Sequence, residues 1–411
     1  MKHIIIISSL ILALIYSGTT VSQTTWVTLT SGTTEGLYSI FFPNPTTGFV
    51  VGNNGTIRKT TNGGTNWTGL TSGTTNNLYE VFFLDVNTGF VSGANGTIRK
   101  TTNGGTNWTG LTTGTTATLY EVCFVDANTG YAAGTGGTIR KTTNGGTNWI
   151  GLTSGTTNNL YEIHYGSNGF VYTVGQAGTI RRTTNGGTNW NPQTSGTTNL
   201  LYDVRFASYF DVNTLYAIGA NGTILKSLNG GVNWNSMVSG TNTDLHEIHF
   251  SFDNIGYTVG NNGMILNTTN GGLNWVQQTS GTNNNLWTVY FPNTLTGYSA
   301  GENGTIRKTT NGFTGISPVN NEIPEEYKLF QNYPNPFNPV TNLKFTIPEP
   351  GNVKLVVYDI SGRIVSTIVN EELKAGNYEA EFNGTNYSSG VYYYTLAAEN
   401  FIETRKMILI K

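Results

Sequence analysis

The nine residues Lys59-Thr60-Thr61-Asn62-Gly63-Gly64-Thr65-Asn66-Trp67 decide the fold, because the chain repeats them along most of its length. Near-identical copies and two looser ones end at tryptophans, namely Trp108, Trp149, Trp190, Trp234 and Trp275. The spacing of these tryptophans is 41 residues, except for one interval of 44. A repeat of roughly 40–45 residues is typical of a β-propeller, in which each repeat forms one blade.

The residue types within the stretch predict a tight turn. Asn62 can hydrogen-bond to the backbone two residues on, and Thr60 can do so more weakly. Gly64 can adopt a backbone conformation that is closed to other residues. Trp67 is large enough to lie across the turn and shield its hydrogen bonds from water.

This pattern of Thr60, Asn62, Gly64 and Trp67 resembles the Asp-box, or BNR repeat, with Asn where that motif prefers Asp. The resemblance implies a folded turn on the rim of a propeller blade, with a structural and not a catalytic role.

Each repeat contains four short strand candidates separated by turns. In the second repeat they are Leu78 to Phe83, Phe90 to Ser92, Thr97 to Thr101 and Thr106 to Leu111. No apolar pattern with a 3.6-residue period is present, which excludes helical repeats. A parallel β-helix is the alternative fold.

The two ends of the repeat region predict seven blades. The last repeat breaks off after Asn311-Gly312, and Ile316 stands where the next Trp is due. The N-terminal stretch Thr24 to Thr30 matches the missing outermost strand. Three strands from one end and one from the other would complete a seventh blade and close the ring, which removes an exposed sheet edge.

Composition and charge narrow the class of protein. Charged residues make up 11% of the chain and the net charge is −2, so we expect no binding to nucleic acid. Cys123 is the single cysteine, which excludes an internal disulfide, and it occupies a position where other repeats have Phe. No cofactor motif or metal-ligand spacing stands out.

The termini indicate an exported protein. The apolar run Ile4 to Tyr16 follows Met1-Lys2-His3 and is shorter than the roughly 20 residues that span a bilayer, so residues 1–22 read as a signal peptide. The mature chain then has no transmembrane span. We predict a propeller at residues 23–316, a polar linker at 317–326 and a small Ig-like β-sandwich at 327–411.

The motifs of the last region are NYPNPFNPVT from Asn332, VYDISGR from Val357, GNYEAEFNG from Gly376, SSGVYYYTL from Ser388 and the terminal KMILIK. In this order they resemble the type A C-terminal sorting domain of the type IX secretion system. The resemblance implies that the type IX machinery is a partner. It also implies that the chain is secreted or lies on the outer surface of a Gram-negative bacterium, and that the domain is removed after export.

The repeats resemble the propeller of photosystem II assembly-factor-like proteins, a name often given to secreted bacterial chains without photosynthesis. This resemblance implies the fold and not a role in photosynthesis.

Two recurring features have both a functional and a structural interpretation. Basic pairs such as Arg58-Lys59 fill one repeat position and could bind an acidic polymer. Alternatively, acidic residues of the first strands and solvent satisfy them. The stretches Asp85 to Gly89 and Asp126 to Gly130 look like calcium loops but lack the later Gly and the bidentate Glu, which favours hairpin turns.

The residues for a known propeller hydrolase are missing. A sialidase-type site resembles three arginines with a Tyr–Glu pair, whereas Arg205 is the one arginine placed on a first strand. No loop is long enough to wall a cleft, and the longest insertion lies near Ala207-Ser208-Tyr209. The sequence therefore favours a binding or scaffold propeller that is not an enzyme. A carbohydrate-active hydrolase and a structural surface protein without a defined ligand are the alternatives.

One position locates a candidate binding site. The first strand of each unit reads Leu-Tyr-Glu-Val-x-Phe, and x changes from blade to blade: Phe41, Phe82, Cys123, His164, Arg205, His249 and Tyr290. Because side chains alternate along a strand, Glu and x should share one face and Tyr, Val and Phe the other.

Three neighbouring blades would then bring together Glu162 with His164, Asp203 with Arg205, and Glu247 with His249. Two histidines beside an arginine suit an anionic or hydroxyl-rich ligand, such as a glycan or a protein, better than a metal ion. The alternative is that these side chains only pack between blades as satisfied pairs.

Overall fold

The structure is a computed structural model that describes residues 26–207, 211–252, 255–293, 296–310, 316–320, 323–373, 375–384 and 387–411. The predicted signal peptide, at residues 1–22, lies outside the described residues. The helices in the described part are single 3₁₀ turns: Asn53–Gly55, Thr135–Gly137, Gln176–Gly178, Ala220–Gly222, Asn261–Gly263 and Glu302–Gly304. None of them could cross a membrane.

Seven four-stranded antiparallel sheets form the blades of a propeller, which confirms the predicted fold and excludes the β-helix. From the inner to the outer strand, blade 1 comprises Leu37–Phe41, Gly48–Gly52, Ile57–Thr60 and Thr68–Leu70; blade 2, Leu78–Phe83, Gly89–Gly93, Thr97–Thr101 and Thr109–Gly110; blade 3, Leu119–Phe124, Gly130–Gly134, Thr138–Thr142 and Ile150–Thr153; blade 4, Leu160–Tyr165, Val171–Gly175, Ile180–Thr183 and Asn191–Gln193.

Blade 5 comprises Leu201–Phe206, Leu215–Gly219, Ile224–Ser227 and Asn235–Met237; blade 6, Leu245–Phe252, Ile255–Gly260, Ile265–Thr268 and Val276–Gln277. Blade 7 combines Leu286–Tyr290, Gly297–Gly301 and Ile306–Thr309 with the N-terminal strand Val27–Leu29. The N-terminal strand pairs antiparallel to the third strand of blade 7, with Val27 opposite Lys308. The predicted closure of the ring is therefore confirmed.

The apolar core lies between neighbouring blades, because each blade packs its sheet face on the next. One such cluster joins Phe49, Val51 and Ile57 of blade 1 to Leu78 and Val81 of blade 2. The second strand of every blade is buried along its whole length, and the first strands contact one another around the central axis.

The turn at the rim combines the predicted two-residue bond, which Thr60 accepts from the N–H of Asn62 at 3.3 Å, with hydrogen bonds that span four residues. The hydroxyl of Thr60 accepts from the N–H of Gly64 at 2.9 Å, and the Asn62 side-chain oxygen accepts from the N–H of Asn66 at 3.0 Å. Gly64 has a φ of +82°, and the largely buried Trp67 packs edge-on against Phe42. The box is therefore a structural turn, as the sequence predicts.

The C-terminal region contains two further four-stranded antiparallel sheets that share one apolar core. One sheet consists of Ile316–Asn320, Gly376–Asn383, Val340–Ile347 and Lys328–Leu329, and the other of Ile364–Leu373, Gly351–Asp359, Gly390–Ala398 and Phe401–Leu409. The strand Ile316–Asn320 occupies the first part of the segment that we predict as a linker, at 317–326. The proposed domain boundaries remain a prediction.

Candidate functional site in the central channel

The variable position of the first strands lines one cavity on the propeller axis. This inner ring comprises Phe41, Phe82, Cys123, His164, Arg205, His249 and Tyr290, and all seven line a cavity of about 270 Å³. The loop Tyr165-Gly166-Ser167 also borders the cavity. The sequence prediction that these side chains converge on the axis therefore agrees with their placement.

A second ring, two residues earlier in each first strand, forms the acidic layer: Ser39, Glu80, Glu121, Glu162, Asp203, Glu247 and Thr288. Several of these side chains link one blade to the next. The Asp203 carboxylate accepts from the N–H of Ile248 at 2.8 Å, and the Glu247 carboxylate accepts from the N–H of Val289 at 3.1 Å. Part of the acidic layer thus has a structural role.

Three carboxylates of the acidic layer lie around Arg205. Its guanidinium lies 3.3 Å from the Glu162 carboxylate, 3.2 Å from that of Asp203 and 3.4 Å from that of Glu247. One guanidinium N–H also points at Nδ1 of His164, at 2.9 Å. Arg205 thus donates hydrogen bonds to His164 and Glu247 and forms ion pairs with Glu162 and Asp203, so nearby carboxylates already balance its charge.

Burial shifts the protonation of the acidic layer. It raises the pKa of Glu80 to about 8, with Glu247 adding to the shift, and the pKa of Glu247 to about 7. It also raises the pKa of Glu121 and Glu162 well above the usual range. Glu80 and Glu121 share a side-chain hydrogen bond, which needs a proton on one of the two carboxyl groups.

The two histidines are neutral. Burial and then Arg205 lower the pKa of His249 to about 3 and that of His164 well below its ordinary value. Since Nδ1 of His164 accepts from Arg205, its proton is on Nε2. The cavity therefore combines protonated or ion-paired carboxyl groups with neutral imidazoles. This chemistry suits a hydroxyl-rich or amine-bearing ligand better than the anion that the sequence allowed.

The six predicted site residues lie together but fall into two groups. Arg205, His164 and His249 line the cavity, and so does Glu247. Glu162 and Asp203 lie behind them, with side-chain exposures of 6% and 2%, and hold Arg205 in place. The residues that we did not predict are Glu80 and Glu121, although the repeat position that identified Glu162 applies equally to them.

A second ring of side chains forms because each first strand has a backbone irregularity, which the sequence pattern of the strand does not show. Each first strand has a β-bulge at its second residue; in blade 3 the pairing shifts between Leu119 and Glu121. The residue at the bulge does not pack with Val and Phe as predicted, and its ring instead contacts the corresponding ring of a neighbouring blade. The resulting aromatic annulus is Tyr38, Tyr79, Tyr120, Tyr161, Tyr202, His246 and Trp287.

The basic pairs connect blades and do not form a free cationic ring. Lys59 Nζ donates to the Gly104 carbonyl oxygen, in the box of the next blade, at 2.7 Å, and lies over the Phe49 ring. Lys308 closes the ring in the same way by donating to the Gly63 carbonyl oxygen at 2.7 Å. Their partners are carbonyl groups and not the first-strand carboxylates that the sequence suggests.

The calcium-like loops are hairpin turns. The Asp85 carboxylate accepts from the N–H groups of Asn87 and Thr88, at 2.7 and 2.9 Å, and these bonds lower its pKa. Among the residues that the structure describes, no three His, Cys, Asp or Glu side chains are placed to hold a metal ion.

Comparisons with known proteins agree with both parts of the chain. A sequence model of the family described as photosynthesis system II assembly factor YCF48 matches residues 19–111, 67–191 and 189–279. A second model, described as a secretion system C-terminal sorting domain, matches residues 331–411. No curated protein matches the chain.

Two solved structures have a similar fold. The first, "YCF48 bound to D1 peptide", is 21% identical with a TM-score of 0.60, and the match covers 69% of this chain and 96% of that one. The second, YCF48 from Cyanidioschyzon merolae, is 19% identical with a TM-score of 0.61, and the match covers 69% of this chain and 98% of that one. At these identities the likeness shows the fold alone, which is the propeller.

Proposed function

We propose, from the membership of this chain in the photosynthesis system II assembly factor YCF48 family, that it is an exported, non-enzymatic propeller which binds a protein, peptide or glycan in its central channel. The observation that carries the proposal is the inner ring. The seven blades are nearly identical at most of their other positions, yet the position that faces the shared cavity holds five different residue types.

Export follows from the C-terminal sorting domain, residues 331–411. We propose that the type IX secretion machinery of a Gram-negative bacterium recognises this domain, carries the propeller to the cell surface or beyond, and then removes the domain. Intact-mass measurement of secreted material should show that the chain ends near Glu326. Secreted protein that still ends at Lys411 would contradict the removal.

The chemistry of the cavity limits the class of ligand that it can bind. Because Arg205 is held by carboxylates and both histidines are neutral, an anionic group would meet no free cation. A hydroxyl or amine can instead donate to the carboxyl groups and the imidazoles. The YCF48 structure with a D1 peptide supports a peptide as one form of such a ligand.

A hydrolase of the Asp-box propeller type is the second candidate, because a carboxyl group with a raised pKa in a cavity is the usual form of a general acid. Glu80 and Glu121 meet that description. Their shared hydrogen bond and the ion pairs around Arg205 give the remaining carboxyl groups structural partners, which favours binding over catalysis. Cys123 is buried, and burial raises the pKa of its thiol, which argues against a nucleophile.

The test is a binding screen with a matched variant. The full chain is screened on a glycan array and on an array of basic, acidic and neutral peptides, and the strongest binder is titrated against His164→Phe with His249→Phe. Phe is the natural residue at this position in blades 1 and 2, as Phe41 and Phe82, so the fold should tolerate it. We expect the double variant to bind at least about tenfold more weakly, since two hydrogen-bonding groups are lost.

The control is Thr65→Val, at a rim position where blade 5 already has Val232. It should bind as the parent chain does. Equal affinity of the parent and the double variant would remove the channel as the site, and hydrolysis of any arrayed glycan would favour the hydrolase. Absence of any binder on both arrays would favour a structural surface protein.

A further inference from the structure

One position of the third strands carries an arginine in five blades and a leucine in two. It is the residue just before the lysine position described above: Arg58, Arg99, Arg140, Arg181, Leu225, Leu266 and Arg307 for blades 1 to 7. The two leucines are on neighbouring blades, so the change affects one continuous sector of the propeller.

The arginines fill a slot beside the loop that leads into their own blade. Arg181 donates to the Gly155 carbonyl oxygen at 2.5 Å, and Arg140 and Arg58 donate in the same way to Gly114 and Gly32. A Cβ placed on Gly155 would lie 3.3 Å from the Arg181 guanidinium. The guanidinium thus occupies the space above this loop glycine.

The corresponding slots of blades 5 and 6 are open. Their loop glycines are Gly196 and Gly240, and no described atom outside the local backbone lies within 4 Å of a Cβ placed on either one. Within the described residues, no hydrogen bond to the carbonyl oxygen of Gly196 or Gly240 is formed. Blades 1, 3 and 4 pair the corresponding carbonyl oxygen with a guanidinium, and these two therefore lack that partner.

Both open slots border one groove. This groove has a volume of about 750 Å³ and is lined by the two glycine loops, by Leu225 and by Val238. Leu225 is 3% exposed, whereas Val238 is 81% exposed. The corresponding groove of blade 7 is also lined by two glycine loops, at Gly32 and Gly281, but it contains Arg307 where blade 5 has Leu225.

We propose that this groove binds a segment of a protein partner which presents an arginine beside aliphatic residues, and that the partner's guanidinium occupies the slot over Gly196 or Gly240. The five filled slots of the same molecule show the chemistry that fits. In all five the guanidinium lies over the loop glycine; in blades 1, 3 and 4 it donates to the loop carbonyl group, and in blades 2 and 7 it donates to the carbonyl oxygens of Trp108 and Trp26. In the open slots Leu225 and Val238 supply an apolar wall for the flanking residues of the partner.

The experiment uses the full chain with isotope-labelled Leu and Val methyl groups, followed by NMR. The probe is the blocked tripeptide Leu-Arg-Leu, and the matched probe is Leu-citrulline-Leu, which has the same shape without the charge. We expect saturable shifts of the Val238 methyl signals with the arginine peptide and binding at least about tenfold weaker with the citrulline peptide.

The chain itself provides the variant that closes the slots. Leu225→Arg with Leu266→Arg restores the residue that five other blades carry, so the fold should accept it, and we expect the arginine peptide to bind at least about tenfold more weakly. Leu225→Met leaves the slot open and should bind as the parent chain does.

Three results would each overturn the proposal. They are equal binding of the two peptides, undiminished binding to the doubly substituted chain, and absence of a saturable shift at Val238 with the arginine peptide. The groove does not share a residue with the central channel. Its test and the test of His164 and His249 can therefore succeed or fail independently.

Discussion

The rim turn occurs six times and the inner-ring position seven times, but only the rim turn keeps nearly the same residues in every copy. Thr60 and Gly64 in blade 1 form the same 2.9 Å hydrogen bond as Ser227 and Gly231 in blade 5. In the inner ring, Phe41 of blade 1 is replaced by Arg205 in blade 5. The residues of the rim turn are constant because each turn must form hydrogen bonds to its own backbone N–H groups. An inner-ring side chain instead faces a cavity that all blades share. The constant residues of the rim are thus explained by folding, and the variable residues of the inner ring are the ones for which we propose a role in binding.

Deleting Thr24 to Thr30 should cause the largest loss, because it removes the outer strand of the closing blade. The deletion takes away the buried Trp26 and exposes the edge strand Ile306–Thr309. We expect aggregation and a lower melting temperature, measured by size-exclusion chromatography and calorimetry. The control, Val27→Ser, alters a half-exposed side chain of the same strand and should be nearly neutral. A monomeric deletion variant with the parent melting temperature would contradict the closure.

Trp67→Ala tests whether the rim turn is held by its aromatic cover. The side chain is 7% exposed and packs against Phe42, so its loss should lower the free energy of unfolding by about 3–5 kcal/mol. Denaturant unfolding measures the change, with Thr65→Val as the control. A loss below about 1 kcal/mol would mean that the turn does not depend on the tryptophan.

Much of the fold could be predicted from the sequence because the same stretch recurs at a nearly constant spacing. Seven blades, closure by the N-terminal strand and the box at the rim follow from the spacing of Trp67 and its copies. The bulge at Tyr120 could not be predicted, since an extra residue in a strand leaves the apolar pattern unchanged. The aromatic annulus was missed for that reason.

The site was predictable only in part. The position of His164, Arg205 and His249 in one ring follows from side-chain alternation. Their charge states do not, because the pKa of His249 depends on its burial and on the charge of Arg205 in the neighbouring blade. The open slot at Gly196 could not be predicted either. Only the structure shows that Arg181 contacts Gly155 in blade 4 and that no described side chain makes the corresponding contact with Gly196 in blade 5.

Thr60→Val removes a hydroxyl that takes part in three hydrogen bonds of the rim turn, one of them accepted from the N–H of Asn62 at 3.3 Å. Its oxygen accepts from the N–H of Gly64 and its O–H donates to Asn62, at 2.9 and 3.0 Å. Since Thr60 is 1% exposed, the unpaired N–H should lower the free energy of unfolding by about 1–3 kcal/mol. Thr61→Val, at an exposed position of the same turn, is the control and should change it little. Equal effects of the two substitutions would contradict the assigned hydrogen bonds.

Stability should depend on pH through the channel. The raised pKa values of Glu80, about 8, and Glu247, about 7, lie above the unfolded value of ~4.3, so their stabilising contribution is lost as the pH rises through that interval. The lowered pKa of His249, about 3, acts the other way, and its contribution is lost as the pH falls from ~6.5. We expect maximal stability at about pH 4.3–6.5.

Glu80→Gln should weaken the loss of stability above pH 6.5, because a group that resists ionisation has been removed. Thermal unfolding across pH 5 to 9 measures the slope, and the exposed Glu325→Gln should leave it unchanged. An identical slope in the parent and Glu80→Gln would show that Glu80 is ionised in the folded chain at neutral pH.

The most direct test of the functional role of the inner ring is histidine NMR on the chain with its strongest binder from the arrays. The described residues contain three histidines, of which His164 and His249 line the cavity and His246 belongs to the aromatic annulus. In the free protein we predict neutral His164 and His249 at pH 5, with the proton of His164 on Nε2. Adding the binder should shift the signals of His164 and His249. Binding that leaves both signals unchanged would contradict the assignment of the channel as the site.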